Sequence, residues 1–351
     1  MPDSSVRGRF LWHELSTTDT TSAAAFYLKA VGWTTETWDQ NPSYVMFAAG
    51  GRPMAGLLSL SGEARASKVP PSWLTYVGTP DVEATARQAE SLGGKVLKTL
   101  GEVAAVGRWI VLEDPQGAVF AIITPSRGPQ ADSAPGPGEF SWHELASTDP
   151  AAALRFYRQL FGWEETQSMD MGPDLGMYHM YSRNGRMLGG IYKKPAKMVG
   201  PSNWLPYVLV PDSKKAVAAT KKGGGQIVNG PMEVPGGDWI AIGIDPQGGT
   251  FAVHSLNPAK ASAAATTAAA SKAATKTAKK AVKKTVKKAA KRPVRKAAKK
   301  TAKKAVKKAA KRTAKKTAKR SAKKAAKTVK RKAATRSASA RKRSTKKSRR
   351  R

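Results

Sequence analysis

The chain contains no cysteine at any of its 351 positions. That excludes disulfides, thiolate metal sites and cysteine nucleophiles. A second absence is local: from Ala259 to Arg351 there is no Asp or Glu, against 40 Lys and Arg. The preceding 258 residues hold the other 22 basic residues and all 24 acidic ones, so they are close to neutral. The basic stretch also lacks any aromatic residue, and Val is its main large aliphatic. Such a segment cannot bury enough apolar surface to offset the entropy of ordering it, so a disordered polycation is expected. No apolar run approaches the ~20 residues of a membrane span. Met1 to Arg9 has no apolar core of signal-peptide type, so no membrane partner and a cytoplasmic location are expected.

The front part repeats itself. Phe10-Leu-Trp-His-Glu-Leu-Ser-Thr-Thr-Asp19 returns as Phe140-Ser-Trp-His-Glu-Leu-Ala-Ser-Thr-Asp149. Phe26-Tyr27 and Gly32-Trp33 return as Phe156-Tyr157 and Gly162-Trp163, and Asp114-Pro-Gln-Gly117 as Asp245-Pro-Gln-Gly248. This duplication implies tandem domains at 8–125 and 138–257. A Pro-, Gly- and Ser-rich linker at 126–137 separates them, and a basic tail occupies 258–351.

Within each copy the pattern reads strand, helix, strands, and then the same again. Phe10–Ser16 is a strand candidate. Asp19 caps a helix whose Ala23, Phe26, Tyr27 and Ala30 share a face, and Gly32 ends it. Asp149, Pro150 and Gly162 play the same parts in the second copy. Asp81 caps a second helix that stops at Gly93-Gly94, and the Asp-Pro-Gln-Gly turns join the last two strands. An α+β fold follows, with two tandem domains, each of paired βαβββ modules.

The run from Asp19 through Phe26-Tyr27 to Gly32-Trp33, its second copy and the two Asp-Pro-Gln-Gly turns resemble the vicinal oxygen chelate superfamily, the glyoxalase, bleomycin-resistance and extradiol-dioxygenase fold. The resemblance implies a cupped sheet in each domain. It also implies a divalent metal held by His and Glu from four strands. The positions it assigns to those ligands are Trp12 and Trp142, Leu74 and Leu205, Ala121 and Ala252, and the neighbourhood of Ala55-Gly56 and Gly189-Gly190. None of these side chains binds such a cation. The expectation is therefore no metal and no other cofactor, with a divalent metal as the alternative.

Strand alternation sorts the neighbours of those positions. Trp12 and Glu14 share one face, and His13 and Leu15 the other. That places His13 and His143 in the core as hydrogen-bonded structural residues. Glu14 and Glu144 then project into the cups as candidate acids or bases. The competing role for each is an ion pair with an arginine such as Arg52 or Arg186. Trp12 and Trp142 are candidate ligand-binding aromatics. His254, two residues after Ala252, is a candidate at the mouth of the second cup, where it could pair with Glu144.

In the tail, basic doublets recur every four residues from Lys279 to Lys324: Lys279-Lys280, Lys283-Lys284, Lys287-Lys288 and onward through Lys299-Lys300, Lys303-Lys304 and Lys307-Lys308. The segment resembles the lysine–alanine tails of linker-histone-like proteins. Lysines at i and i+4 repel one another in an isolated helix, and phosphates relieve that repulsion. As a helix, the stripe drifts about 40° per repeat, so it winds around the axis. That suits non-specific contact with phosphates rather than base reading.

The combined expectation is a glyoxalase- or bleomycin-resistance-like small-molecule-binding protein without the family's metal. Its tail tethers it to DNA, with RNA as the alternative polymer, and associates it with the nucleoid. The rival is a metal-dependent lyase, isomerase or dioxygenase localised in the same way. The residues leave open whether the cups catalyse. They leave open too whether the chain is a monomer by internal pseudo-dimerisation or a homodimer.

Overall fold

A computed structural model describes residues 6–39, 41–128, 132–260 and 262. From residue 263 on, the stretch read above as a disordered basic tail, with the candidate lysines Lys279 to Lys308, lies outside the described residues.

The first domain runs β1 (Phe10–Thr17), α1 (Thr20–Ala30), β2 (Thr34–Trp38), β3 (Asn41–Ala49), β4 (Arg52–Ser59), α2 (Gly62–Ala66), β5 (Ser72–Gly78), α3 (Val82–Ser91), β6 (Lys95–Val103), β7 (Gly107–Glu113) and β8 (Val119–Pro125). The second runs β9 (Phe140–Ser147), α4 (Pro150–Phe161), β10 (Glu164–Asp170), β11 (Met177–Arg183), β12 (Arg186–Lys193), β13 (Asn203–Leu209), α5 (Ser213–Lys222), β14 (Gln226–Glu233), β15 (Trp239–Ile244) and β16 (Thr250–Ser255). Each domain is one eight-stranded sheet, ordered β2-β3-β4-β1-β5-β8-β7-β6 and β10-β11-β12-β9-β13-β16-β15-β14. Two βαβββ modules meet where β1 runs antiparallel to β5, and β9 to β13.

The helices α1, α3 and α4 begin where the sequence marks them, while Ser61 and Asp212, which cap α2 and α5, are not among the caps read from it. Asp19 accepts from the backbone N–H groups of Thr21 and Ser22 at 2.9 and 3.0 Å, and Asp149 accepts from that of Ala152. These carboxylates satisfy donors that the first helical turn leaves open. Gly162 closes α4 at φ 74°, a left-handed conformation that a side chain would disfavour. The edge strands β2 and β6 are not marked by the residue pattern. Most of their side chains are exposed, so their sequences carry no apolar alternation.

The helical faces do not pack only within their own domains. Ala23, Phe26, Tyr27 and Ala30 of α1 share a core with Val208, Val217, Phe251 and Val253 of the second domain. In the mirror arrangement, Phe156, Tyr157 and Leu160 of α4 share a core with Val82, Leu112, Phe120 and Ile122 of the first. Each first module is thus completed by the other domain's second module. Burying one such aromatic side chain contributes roughly 2–3 kcal/mol, so the docking is central to stability.

The motif residues lie on this seam. Tyr157 donates to Asp114 Oδ2 at 2.9 Å, and Tyr27 to Asp245 Oδ2 at 2.9 Å. The other oxygen of Asp114 accepts from the backbone of Gln116 and Ala118, within its own turn. Burial raises the Asp114 carboxyl above its ordinary range, against those donors and the Tyr157 hydroxyl. Trp204 Nε1 donates to the Tyr157 hydroxyl at 3.0 Å, while Trp33 and Trp163 reach the carbonyls of Gly138 and Gly8 in the opposite domain. Tyr157→Phe strands two buried partners, Asp114 Oδ2 and Trp204 Nε1. It should lower the unfolding free energy by about 3 kcal/mol in urea titration. A change under about 0.5 kcal/mol would show that the phenol does not hold the seam.

Candidate functional site

His13 and Leu15 face the shared core, so Trp12 and Glu14 face away from the helices, as alternation requires. Strand register assembles their neighbours. Glu14 lies beside Gly56 on one flank and Leu74 on the other, and Trp12 lies beside Tyr76. Tyr76 pairs with Ala121, which pairs with Val111. Around Glu144 the same places hold Gly190, Leu205, Tyr207, Ala252 and Ile242. The resulting face is mostly apolar, with one carboxylate at its centre in each domain.

Each carboxylate is held by two phenols. Tyr44 and Tyr76 donate to the two oxygens of Glu14 at 2.6 and 2.5 Å, and Trp12 Nε1 donates to the Tyr44 hydroxyl at 3.1 Å. In the second domain Tyr178 and Tyr207 donate to Glu144 at 2.8 and 2.6 Å, with Trp142 Nε1 on the Tyr178 hydroxyl at 2.8 Å. Burial raises the Glu144 carboxyl above its ordinary range, while the two phenols pull it back. The tyrosines are pushed up in turn, by burial first and then by the neighbouring carboxylate. All four therefore stay protonated and keep donating at neutral pH.

The glycines at the fourth family position make this possible. A Cβ on Gly56 would lie 2.0 Å from the Tyr44 hydroxyl, and one on Gly190 would lie 2.1 Å from Tyr178 Cζ. The strand is bare there because a tyrosine from the neighbouring strand crosses over it.

The expected arginine partners are engaged elsewhere: Arg52 pairs with Glu139 and Arg186 with Asp132 at 2.6 Å. His254 sits on the same face as Ala252, but its ring nitrogens meet Ser141 Oγ and Asp238 Oδ2, not Glu144. His13 and His143 are buried, with their Nε2 atoms 2.9 Å apart across the domain seam. The residue-level reading missed the four tyrosines. Their signal was available, since Tyr76 and Tyr207 occupy equivalent places of the repeat and share strand parity with the glutamates.

A divalent ion does not fit these side chains. The four inherited ligand positions are Trp, Leu, Ala and Gly in both copies. Both oxygens of each remaining carboxylate already accept phenolic protons, and a metal would have to displace them. Among the described residues, no three His, Asp or Glu side chains converge in a way that could hold an ion. Nor is any described helix long and apolar enough to cross a membrane.

Comparison with known proteins agrees with the duplication. Residues 12–123 match the family model described as glyoxalase-like domain, and residues 140–253 match that of the glyoxalase/bleomycin resistance protein/dioxygenase superfamily. The putative glyoxylase CFP32 of Mycobacterium tuberculosis is 30% identical over 258 residues, covering 71% of this chain and 94% of that one. The anthracycline biosynthesis protein DnrV of Streptomyces peucetius is 26% identical over 266 residues, covering 72% and 95%. Among solved structures, 2,2',3-trihydroxybiphenyl 1,2-dioxygenase from Sphingomonas wittichii superposes with a TM-score of 0.54 at 12% identity, over 71% of this chain and 90% of that one. At that identity the likeness is one of fold.

Proposed function

Because the chain belongs to the glyoxalase/bleomycin resistance protein/dioxygenase superfamily, we propose that it is a small-molecule-binding member whose cups use a carboxylate–tyrosine cluster where relatives use a metal, and whose lysine-rich tail tethers it non-specifically to DNA. The observation that carries the first half is the Tyr178–Glu144–Tyr207 clamp beside Trp142, repeated as Tyr44–Glu14–Tyr76 beside Trp12. An apolar face with an indole and a single half-buried carboxyl suits a flat, mainly apolar ligand with one polar group to share the carboxyl's hydrogen bonding. Glu144, whose carboxyl is raised by burial, can hold or release a proton against such a group.

Metal content and ligand binding test this. Purified full-length protein should contain less than about 0.1 equivalent of Zn, Ni, Mn or Fe, because a site without ligating side chains does not retain a cation. A thermal-shift screen of aromatic and polycyclic compounds should find ligands whose shift is abolished by Glu144→Ala or Trp142→Ala. Stoichiometric metal, lost on Glu14→Ala or Glu144→Ala, would favour the metal-dependent lyase or dioxygenase reading instead. The second half rests on the tail's charge and four-residue doublets, with no acidic residue to neutralise them.

A further inference from the structure

The duplication offers an internal comparison that isolates a second polar site. At two separated places the second domain carries polar residues where the first carries aliphatic ones, and at a third it carries a carboxylate that the first lacks. Ser141 stands where the first domain has Leu11, and His254 where it has Ile123. Asp238 precedes Trp239 at the start of β15, whereas Gly107-Arg108 open the matching β7. In space the three converge. Ser141 Oγ lies 2.9 Å from His254 Nδ1, and His254 Nε2 lies 3.4 Å from Asp238 Oδ2. Asp238 is itself fixed by the backbone N–H of Asn257 and by Lys260 Nζ, each at 2.9 Å. The first domain has Leu and Ile at two of these places and Gly107-Arg108 at the third, so the fold does not require the polar set.

Ser141 also lines a cavity, and its Oγ reaches the Tyr207 carbonyl at 3.4 Å besides His254. Between the domains lies a cavity of about 450 Å³ whose wall includes Ser141, Phe10 and Phe140. Among its described lining residues, five arginines (Arg9, Arg52, Arg127, Arg183 and Arg186) outnumber two carboxylates, Asp132 and Glu139. Register places Ser141 at an irregularity of β9, between Phe140 and Trp142, where a strand can re-aim a side chain.

We propose that Ser141, His254 and Asp238 form a nucleophilic relay that opens onto the interdomain cavity and hydrolyses small anionic carboxylic esters. The order serine, imidazole, carboxylate is what acyl transfer needs, whatever scaffold carries it. Burial lowers His254, against the hydrogen bond and charge of Asp238, so the ring is neutral near pH 7 and can accept a proton. Ser141 Oγ attacks the ester carbonyl carbon, and its proton passes to His254 Nδ1. The tetrahedral adduct collapses, the carbon–oxygen bond to the alcohol breaks, and the alcohol leaves with that proton. Water, deprotonated by the same imidazole, then cleaves the acyl–Ser141 ester. The net change is ester and water to acid and alcohol. With five arginines, four of them paired with Asp132 or Glu139, against two carboxylates, the wall keeps a net positive charge, which favours an anionic acyl group.

The test uses full-length protein with two probes, a fluorophosphonate and the p-nitrophenyl monoester of succinate. Ser141→Leu and His254→Ile copy the first domain and should keep the near-UV circular dichroism of the parent. The parent should take up one phosphonyl group, mapped to Ser141, and release p-nitrophenolate faster from the succinate ester than from the neutral acetate ester. Ser141→Leu should lose the label and retain only the background due to its lysines. His254→Ile should label at least about 100-fold more slowly. Equal behaviour of the parent and Ser141→Leu toward both probes overturns the proposal. Labelling of Ser141 that is indifferent to His254→Ile overturns the relay, and turnover no faster for the anionic ester overturns the substrate class.

Discussion

Full-length protein on random-sequence duplex DNA should lose about 100,000-fold in affinity between about 50 and about 200 mM monovalent salt, if some 10 phosphates are neutralised. The magnitude follows from counterion release, which gives a log–log slope near −9 for that number of contacts. The tail holds 40 cations and no anion, so ten contacts is a modest demand. A chain ending at Pro258 is near neutral and should bind no better than an unrelated protein of that charge. Sequence should matter little, because backbone contacts carry no base information. Comparable binding by the truncated chain, or a slope shallower than about −3, would show that the tail is not the contact surface. Competition with duplex RNA distinguishes a preference for DNA from a general affinity for phosphate polymers.

Acidification should weaken the docking of the two domains well before ordinary acid denaturation. His13 and His143 meet at the seam, each stacked on a phenylalanine of the other domain: Phe10 on His143 at 3.5 Å and Phe140 on His13 at 3.6 Å. Burial pushes both imidazoles down, His143 to about 3 and His13 well below its ordinary value. For His13 the partner imidazole adds to the effect of burial. For His143 a backbone contact at Leu188 opposes it and the Arg186 cation adds to it. A histidine depressed in the folded state stays neutral while the unfolded chain takes up a proton below about pH 6.5. Its stabilising contribution is therefore complete above that pH and shrinks as pH falls toward the folded value. The slope approaches about 1.4 kcal/mol per pH unit for each ring below pH 6.5, so the pair should remove about 3 kcal/mol between pH 6.5 and pH 5.

Glu144 and Asp114 act with the opposite sign, since raised carboxyls make the native state the better proton binder. The double variant His13→Phe/His143→Phe isolates the histidine part. Urea unfolding followed by tryptophan fluorescence should show its pH dependence flattened by about 2 kcal/mol per unit across this window. An unchanged slope would mean that the rings are already protonated or exposed.

Much of the chain is legible without coordinates. The duplication, the helices opened by Asp19, Asp81 and Asp149, the turns at Asp114 and Asp245, and the division of charge all depend on neighbours a few residues apart. Local hydrogen bonding and period-two alternation are written into short stretches of sequence. Alternation alone also separated His13 from Glu14, and so assigned one to the core and the other to the open face. The partners of those residues were another matter. Tyr27 reaches Asp245, Tyr157 reaches Asp114, and His13 reaches His143 only because two sheets dock helix face to helix face. The motif residues that mark the family thus serve the seam between domains as much as either cup. Glu14 likewise finds Tyr44 and Tyr76 because β3, β4, β1 and β5 lie side by side in an order that the chain does not follow. The tail's charge and the repeated modules belong to the sequence alone. Tertiary structure decided which carboxylates are clamped, which imidazoles meet and where Ser141 faces, since those depend on how distant strands and domains pack.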